Sequence, residues 1–101
     1  MKTAREASPE LEAFIDESIR LSKERGYYPT RFEQMRRELK TIPAIARLVQ
    51  NGDIQSGFTR MLGLGLLDWS IESAVIKFPE EFDRDALLCA EWRLQMVKGG
   101  G

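Results

Sequence analysis

The residue types that carry most catalytic and metal chemistry are scarce in this chain of 101 residues. The sequence contains no histidine and a single cysteine, Cys89. A zinc site, a Ser-His-Asp triad and a Cys-His pair all depend on residues that are missing here. Cys89 stands between Leu88 and Ala90 in a helical pattern, so we interpret it as a small core residue rather than a reactive thiol.

Carboxylates are the remaining candidates for acid and base chemistry. The nearest pairs are Asp68 with Glu72 and Glu80 with Glu81. The sequence places neither pair in an apolar pocket that would shift a pKa, so we expect helix-cap and surface charges. The chain is therefore predicted not to be an enzyme and to hold no metal or cofactor. A carboxylate-dependent enzyme would require a pocket in which at least two acids converge.

Positive charge is concentrated in one part of the chain. The formal net charge is only −1, but residues 20–47 hold eight cations and three acids. Tyr27 and Tyr28 lie within this stretch, and tyrosines among cations can stack bases while the cations neutralise phosphates. Alternatively, Glu33 and Arg37 form a helical i, i+4 pair and the cations solvate an outer helix face. Nucleic-acid binding is thus an alternative function, through Arg25, Arg36, Arg37, Lys40 and Arg47.

Two glycine-bounded turns, GYYPTRF and SGFTRM, carry aromatic and basic side chains. An exposed tyrosine or tryptophan near such turns is typical of an anchor at a protein–protein interface. Trp69 is such an anchor if exposed, and a filler of the core if buried. The preferred function is therefore a protein-interaction module, and the predicted contact residues are Tyr27, Tyr28, Arg31 and Trp69.

The elements that position these residues are predicted to be helices only. Ser8 followed by Pro9 predicts a helix start, and Gly26 predicts its end in a left-handed cap. Thr30 and Glu33 have the spacing of a capping box at the start of the second helix. Shorter segments begin near Thr41, Gly57 and Ser70, and the last helix begins at Asp83.

Apolar residues recur with the helical period throughout the chain, and no segment alternates as a strand does. The pattern predicts an all-α, compact bundle of about six helices, in which long first and last helices clamp four short ones. The short helices must bury their apolar stripes to persist. The predicted core consists of Phe14, Ile15, Phe32, Met35, Ile45, Leu48, Phe58, Met61, Leu66, Val75, Leu87, Trp92 and Leu94.

The length suits one domain, which we expect to span residues 8–97 between a flexible start at 1–7 and a disordered tail at 98–101. No window approaches the roughly 20 apolar residues of a membrane helix, so no membrane partner is predicted. The lone cysteine cannot form an internal disulfide. A cytoplasmic location is therefore expected.

Several sequence blocks together resemble a family of small all-helical bacterial proteins and appended domains of uncharacterised function. The blocks are YYPTRFEQM, IPAIARLVQ, SGFTRMLGLGLLDWSIESAVI and LLCAEWRL, spread over residues 10–95. The resemblance implies a bacterial or phage origin, a helical fold and a recurrent module, and it brings no activity or catalytic residue. Gly63, Gly65 and Trp69 depart from the family pattern. The matching residues are Tyr28, Pro29, Phe32, Met35, Gly57, Phe58, Leu67, Asp68, Ser70, Glu72 and Val75.

Overall fold

The chain folds into helices joined by tight turns. The computed structural model describes residues 6–50 and 56–99, and this part contains no strand. Its α-helices are α1 Pro9–Glu24, α2 Thr30–Leu39, α3 Thr41–Val49, α4 Ser56–Gly63, α5 Ile71–Lys77 and α6 Arg84–Gly99, with short 3₁₀ helices at Leu67–Trp69 and Pro79–Glu81.

This architecture confirms the predicted all-α bundle, including its long first and last helices. Residues 1–5 of the expected flexible start at 1–7, and residues 100–101 of the expected tail at 98–101, lie outside the described residues. Helix α6 continues through Gly99.

Side-chain caps begin helices α1 and α5, as the sequence predicts. The Ser8 hydroxyl oxygen accepts the backbone N–H of Leu11 at 3.1 Å. The hydroxyl and backbone N–H of Ser8 donate to the Glu81 carboxylate at 2.6 and 2.8 Å, which ties the start of α1 to the turn before α6. Ser70 caps α5 by accepting the N–H of Ser73 at 3.2 Å. These local signals therefore fix where both helices begin.

The end of α1 is also as predicted, but the start of α2 is not. Gly26 has φ 88°, the left-handed conformation expected of the residue that ends α1. The predicted capping box is not formed. Thr30 is already the first residue of α2, and Pro29, which holds the N-cap position, makes no side-chain cap. Glu33 instead lies 3.1 Å from the ammonium of Lys23 on α1.

Helix α5 lies at the centre of the packing, in contact with α1, α3 and α6. The residues Ala74 of α5 and Ala86 and Ala90 of α6 are fully buried, and their small side chains allow a close approach. Most of the predicted core is buried, with Phe32, Met35 and Leu87 only partly so. Trp92 was expected in the core, and this is wrong: the side chain is 61% exposed because α6 packs through its alanine face.

Helices α2 and α3 meet at a strained residue. Lys40 alone separates them and has φ 78° and ψ 170°. This region of backbone conformation is populated almost only by glycine, because a Cβ atom crowds the neighbouring backbone there. The sharp bend between the helices is thus maintained against local strain.

Replacing Lys40 with glycine should stabilise the protein. Relief of about 1 to 3 kcal/mol of strain, offset in part by the greater freedom of glycine in the unfolded chain, leaves a gain of about 1 kcal/mol. Such a gain corresponds to a rise of about 4 to 8 °C in Tm. Lys40→Ala is the control, because it removes the charge and keeps the Cβ atom. Equal shifts for both variants in thermal unfolding would show that strain is not the cause.

Candidate functional site

The predicted aromatic contact residues occupy different environments. Tyr28 is 61% exposed, whereas Tyr27 and Trp69 are half-buried. Trp69 stacks on Phe14 with ring centroids 4.8 Å apart. Its backbone carbonyl accepts the Ser18 hydroxyl at 2.6 Å. Trp69 therefore packs against α1 with part of its ring, and Tyr28 is the most accessible of the three.

Tyr27 and Arg31 line a cavity of about 100 Å³ whose other lining residues come mainly from α1, α2, α3, α4 and α5, and Tyr28 and Trp69 do not line it. The guanidinium carbon of Arg60 lies 5.0 Å from the Tyr27 ring centroid. Burial raises the pKa of Tyr27, and the charge of Arg60 opposes that rise. The remaining lining is mostly apolar and includes Ile19, Phe32, Leu48, Phe58, Met61 and Ile71.

A buried ion pair lies beside this cavity. Glu72 of α5 lines the cavity and accepts a hydrogen bond at 2.6 Å from Arg93 of α6. Their side chains are only 1% and 5% exposed. The expectation that Glu72 is a surface charge is therefore wrong: the side chain turns inward from the first turn of α5 and meets a cation from α6. Asp68, its predicted neighbour, is exposed as expected.

The Glu72 carboxylate is only partly satisfied. Its Oε2 atom receives Arg93, but within the described part of the chain no donor reaches the buried Oε1 atom. Burial raises the pKa of Glu72, and the hydrogen bond from Arg93 opposes that rise. Among the described residues that line the cavity, Glu72 is the one acid, so a converging acid pair is not formed there. Glu72 therefore carries a buried acceptor for which the described residues supply no donor.

Three of the five predicted nucleic-acid residues, Arg36, Arg37 and Lys40, line one depression, and Arg25 and Arg47 are not part of its lining. Arg36 contacts Glu12 at 2.6 Å and Asp16 at 2.9 Å, and Arg25 donates to the backbone carbonyl of Leu64 at 2.7 Å. Burial alone would raise the pKa of Glu12, but hydrogen bonds from Arg36 and Thr41 hold it below its ordinary value. The expected Glu33 to Arg37 pair is replaced by Glu33 with Lys23.

The other basic residues are accessible. Arg37 and Lys40 line an open depression together with Glu6, Glu12 and Arg36, and Arg47 is exposed on α3. Nucleic-acid contact through these residues stays a prediction.

An exposed apolar ridge runs along α6, formed by Leu88, Trp92 and Met96. These side chains are 49%, 61% and 43% exposed and are spaced four residues apart, which places them on one side of the helix. The buried residues Ala86 and Ala90 lie on the opposite side. The ridge is therefore an apolar surface that the fold leaves uncovered.

A groove of about 220 Å³ continues the ridge toward α4. Met96 and Val97 of α6 form one wall, and Phe58 and Leu62 of α4 form the other. Leu62 is itself exposed. Ridge and groove together make a continuous apolar surface between α4 and α6.

The described residues contain no group of three side chains that could hold a metal ion. Within the same residues, none of the helices has the length and apolar character needed to cross a membrane.

Sequence reasoning missed the Glu72–Arg93 pair and the ridge. The pair leaves no local signal, since its partners are 21 residues apart. The ridge does leave a signal in the sequence, because Leu88, Trp92 and Met96 repeat at four-residue steps alongside the repeat of Ala86 and Ala90. A helix with two apolar stripes on opposite sides can turn only one of them toward the core, so the other is exposed.

Comparison of the chain with known protein families, curated proteins and solved structures finds no match. The family resemblance inferred from the sequence blocks stays a prediction.

Removing one partner of the buried ion pair should be far more harmful than removing both. Arg93→Met leaves a buried carboxylate without its cation, so we expect a loss of about 3 to 5 kcal/mol in the free energy of unfolding. The double variant Glu72→Met with Arg93→Met should recover most of that loss, because neither charge then remains buried. Urea denaturation of the single and double variants measures the coupling. Additive losses would contradict a direct interaction.

The stability that Glu72 contributes should depend on pH. Its pKa is raised in the folded protein above the ordinary 4.5, so the native state holds more protons than the unfolded state just above that value. The contribution is full below the ordinary pKa and is lost as pH rises through the folded pKa. The stability of the wild type relative to Glu72→Gln should therefore fall from acid toward neutral pH in urea denaturation. A relative stability that rises instead would mean that Arg93 outweighs burial.

Proposed function

We propose that the chain is a non-enzymatic module that binds another protein through the apolar ridge of α6. The observation that carries this proposal is Trp92, 61% exposed between two further exposed apolar residues, Leu88 and Met96. Contiguous apolar surface of this kind marks interaction sites on soluble proteins. Tryptophan is among the residues that contribute most to binding when a partner covers them.

The shape of the surface favours a helical partner. The ridge side chains follow one face of a helix, and the groove beside Met96 can accept a side chain from a second helix packed alongside. Apolar residues at three- and four-residue steps on the partner would then contact Leu88, Trp92 and the groove. A single amphipathic helix is therefore the structural element that fits.

The charges near the ridge favour basic residues on that partner. Between residues 83 and 97, where the structure describes every side chain, Asp83, Asp85 and Glu91 are exposed acids and Arg84 is the exposed cation. Lysine or arginine flanking the apolar stripe of the partner would complement these acids and speed association. We therefore propose as partner an amphipathic helix with basic flanks, supplied by another protein.

The residues predicted from the aromatic turns have a smaller part in this proposal. Tyr28 and Arg31 are exposed and stay candidates for secondary contacts, while Tyr27 and Trp69 are half-buried. The proposal that the chain is not an enzyme rests on its residue types, as does its expected cytoplasmic location. A bacterial or phage origin rests on the family resemblance.

A designed peptide tests this function. The peptide carries leucines along one helix face and lysines beside them, and a control peptide has glutamates in place of the lysines. In a Trp69→Phe background, Trp92 is the remaining tryptophan, and its emission should shift to the blue as the lysine peptide covers it. We expect the glutamate peptide to bind at least tenfold more weakly at low salt, because it meets the acids of the ridge.

Two matched variants control the peptide experiment. Leu88→Gln should abolish the shift with little loss of stability, because Leu88 is half-exposed. Lys77→Gln, an exposed change on α5, should leave binding intact. Equal binding of both peptides would refute the charge assignment, and sedimentation as a dimer that Trp92→Gln dissociates would identify a second copy as the occupant. Salt-sensitive binding to DNA or RNA that Arg37→Glu abolishes, with no peptide binding, would favour the nucleic-acid alternative.

A further inference from the structure

The cavity of about 100 Å³ offers mainly apolar contact in its interior. The hydroxyl groups of Ser18, Ser22 and Ser70, which line it, donate to backbone carbonyl groups at 2.6, 2.9 and 2.8 Å. The Glu72 carboxylate is neutralised by Arg93 at 2.6 Å, and both side chains are buried. A polar group placed inside would lose its hydration without an equivalent partner. The enclosed part of a ligand must therefore be apolar.

The mouth of this cavity carries positive charge. Of the residues that line the cavity, Arg31 is exposed and Tyr27 is half-buried, so the cavity meets solvent on this side. Within residues 6–50 and 56–99, no carboxylate forms an ion pair with Arg31. Arg60 adds a second cation, 5.0 Å from the centroid of the Tyr27 ring. An anionic group at the mouth would thus meet cations while it stays in contact with water.

The volume of the cavity limits the apolar part of the ligand to one small ring or a short chain. An apolar cavity of about 150 Å³ holds benzene, and this cavity of about 100 Å³ is of the same order. The lining presents the rings of Phe32 and Phe58 and the thioether of Met61. These side chains favour an aromatic or compact aliphatic group.

We propose that this cavity binds a small carboxylate ion, with its apolar body inside and its carboxylate group beside Arg31 at the mouth. Single-ring aromatic acids such as benzoate belong to this chemical class. The turn that the sequence marks with GYYPTRF then has a role, because it supplies both Tyr27 and Arg31 to the site. The proposal goes beyond protein binding by the α6 ridge and does not depend on it.

Benzoate and toluene are a matched pair for the test, because they differ by a carboxylate in place of a methyl group. Each is titrated into the full chain and followed through the methyl signals of Ile19, Met61 and Ile71. These residues line the cavity and not the groove beside α6, with which the cavity shares Phe58. We expect benzoate to bind about fivefold more tightly than toluene at low salt, as a favourable exposed ion pair allows. Benzylammonium, a cation with the same ring, should bind more weakly than toluene.

Three variants locate the ligand. Arg31→Gln should reduce the affinity for benzoate to that for toluene and leave toluene unchanged, with little loss of stability because Arg31 is exposed. Arg37→Gln, an exposed change on the same helix outside the cavity lining, is the matched control and should alter neither affinity. Gly57→Ala should weaken both ligands, because the added Cβ atom would lie 3.0 Å from the Tyr27 hydroxyl oxygen and narrow the cavity.

Three results would overturn the proposal. Methyl signals that do not move up to the solubility limit of both ligands would mean that the cavity is not a binding site. Equal affinities for benzoate and toluene, unaffected by Arg31→Gln, would mean an apolar void without selection for a carboxylate. Benzoate binding that Arg37→Gln removes and Arg31→Gln does not would place the anion in the depression near Lys40 instead. Trp92→Gln on the ridge should leave benzoate binding intact, so failure here is distinguishable from failure of the protein-binding function.

Discussion

The contact between Glu72 and Arg93 is the interaction on which the arrangement of α5 and α6 depends. Either charge alone inside the protein would be strongly unfavourable, so each helix can be buried at this point only if the other is in place. Helix α5 spans Ile71–Lys77 and is too short to persist by itself. The pair thus makes the position of α5 conditional on that of α6, in addition to the apolar contacts between them.

The close packing that encloses the pair follows from small residues. Ala74 on α5 and Ala86 and Ala90 on α6 let the two helix backbones approach closely, which excludes water from the side chains between them. The same choice explains the exposed ridge. Since α6 packs through alanines, Trp92 and its neighbours on the opposite side point to solvent. The burial of the ion pair and the exposure of the ridge are therefore two consequences of one helix orientation.

Local chemistry determined what the sequence could predict. Ser8, Gly26 and Ser70 act within a few residues of themselves, so their roles as caps were readable and are confirmed. Glu33 and Glu72 were placed wrongly because each is held by a cation distant in sequence, Lys23 and Arg93 respectively. Of the residues at the candidate site, the sequence indicated Tyr27, which belongs to the aromatic turn. The Glu72–Arg93 contact joins two different helices, and no spacing along the chain indicates it.

Arg93 also affects the charge of the surface proposed to bind a partner. It lines the groove beside Met96 and donates a hydrogen bond to Glu72. Because that carboxylate neutralises it, Arg93 adds little attraction for an acidic partner, and drawing it away would leave Glu72 buried alone. Among the side chains described between residues 83 and 97, exposed acids such as Asp85 and Glu91 therefore outnumber the exposed cation Arg84. Because the Glu72–Arg93 pair removes a cation from this surface, the described part of the ridge has an acidic surplus, which is the reason for proposing a basic partner.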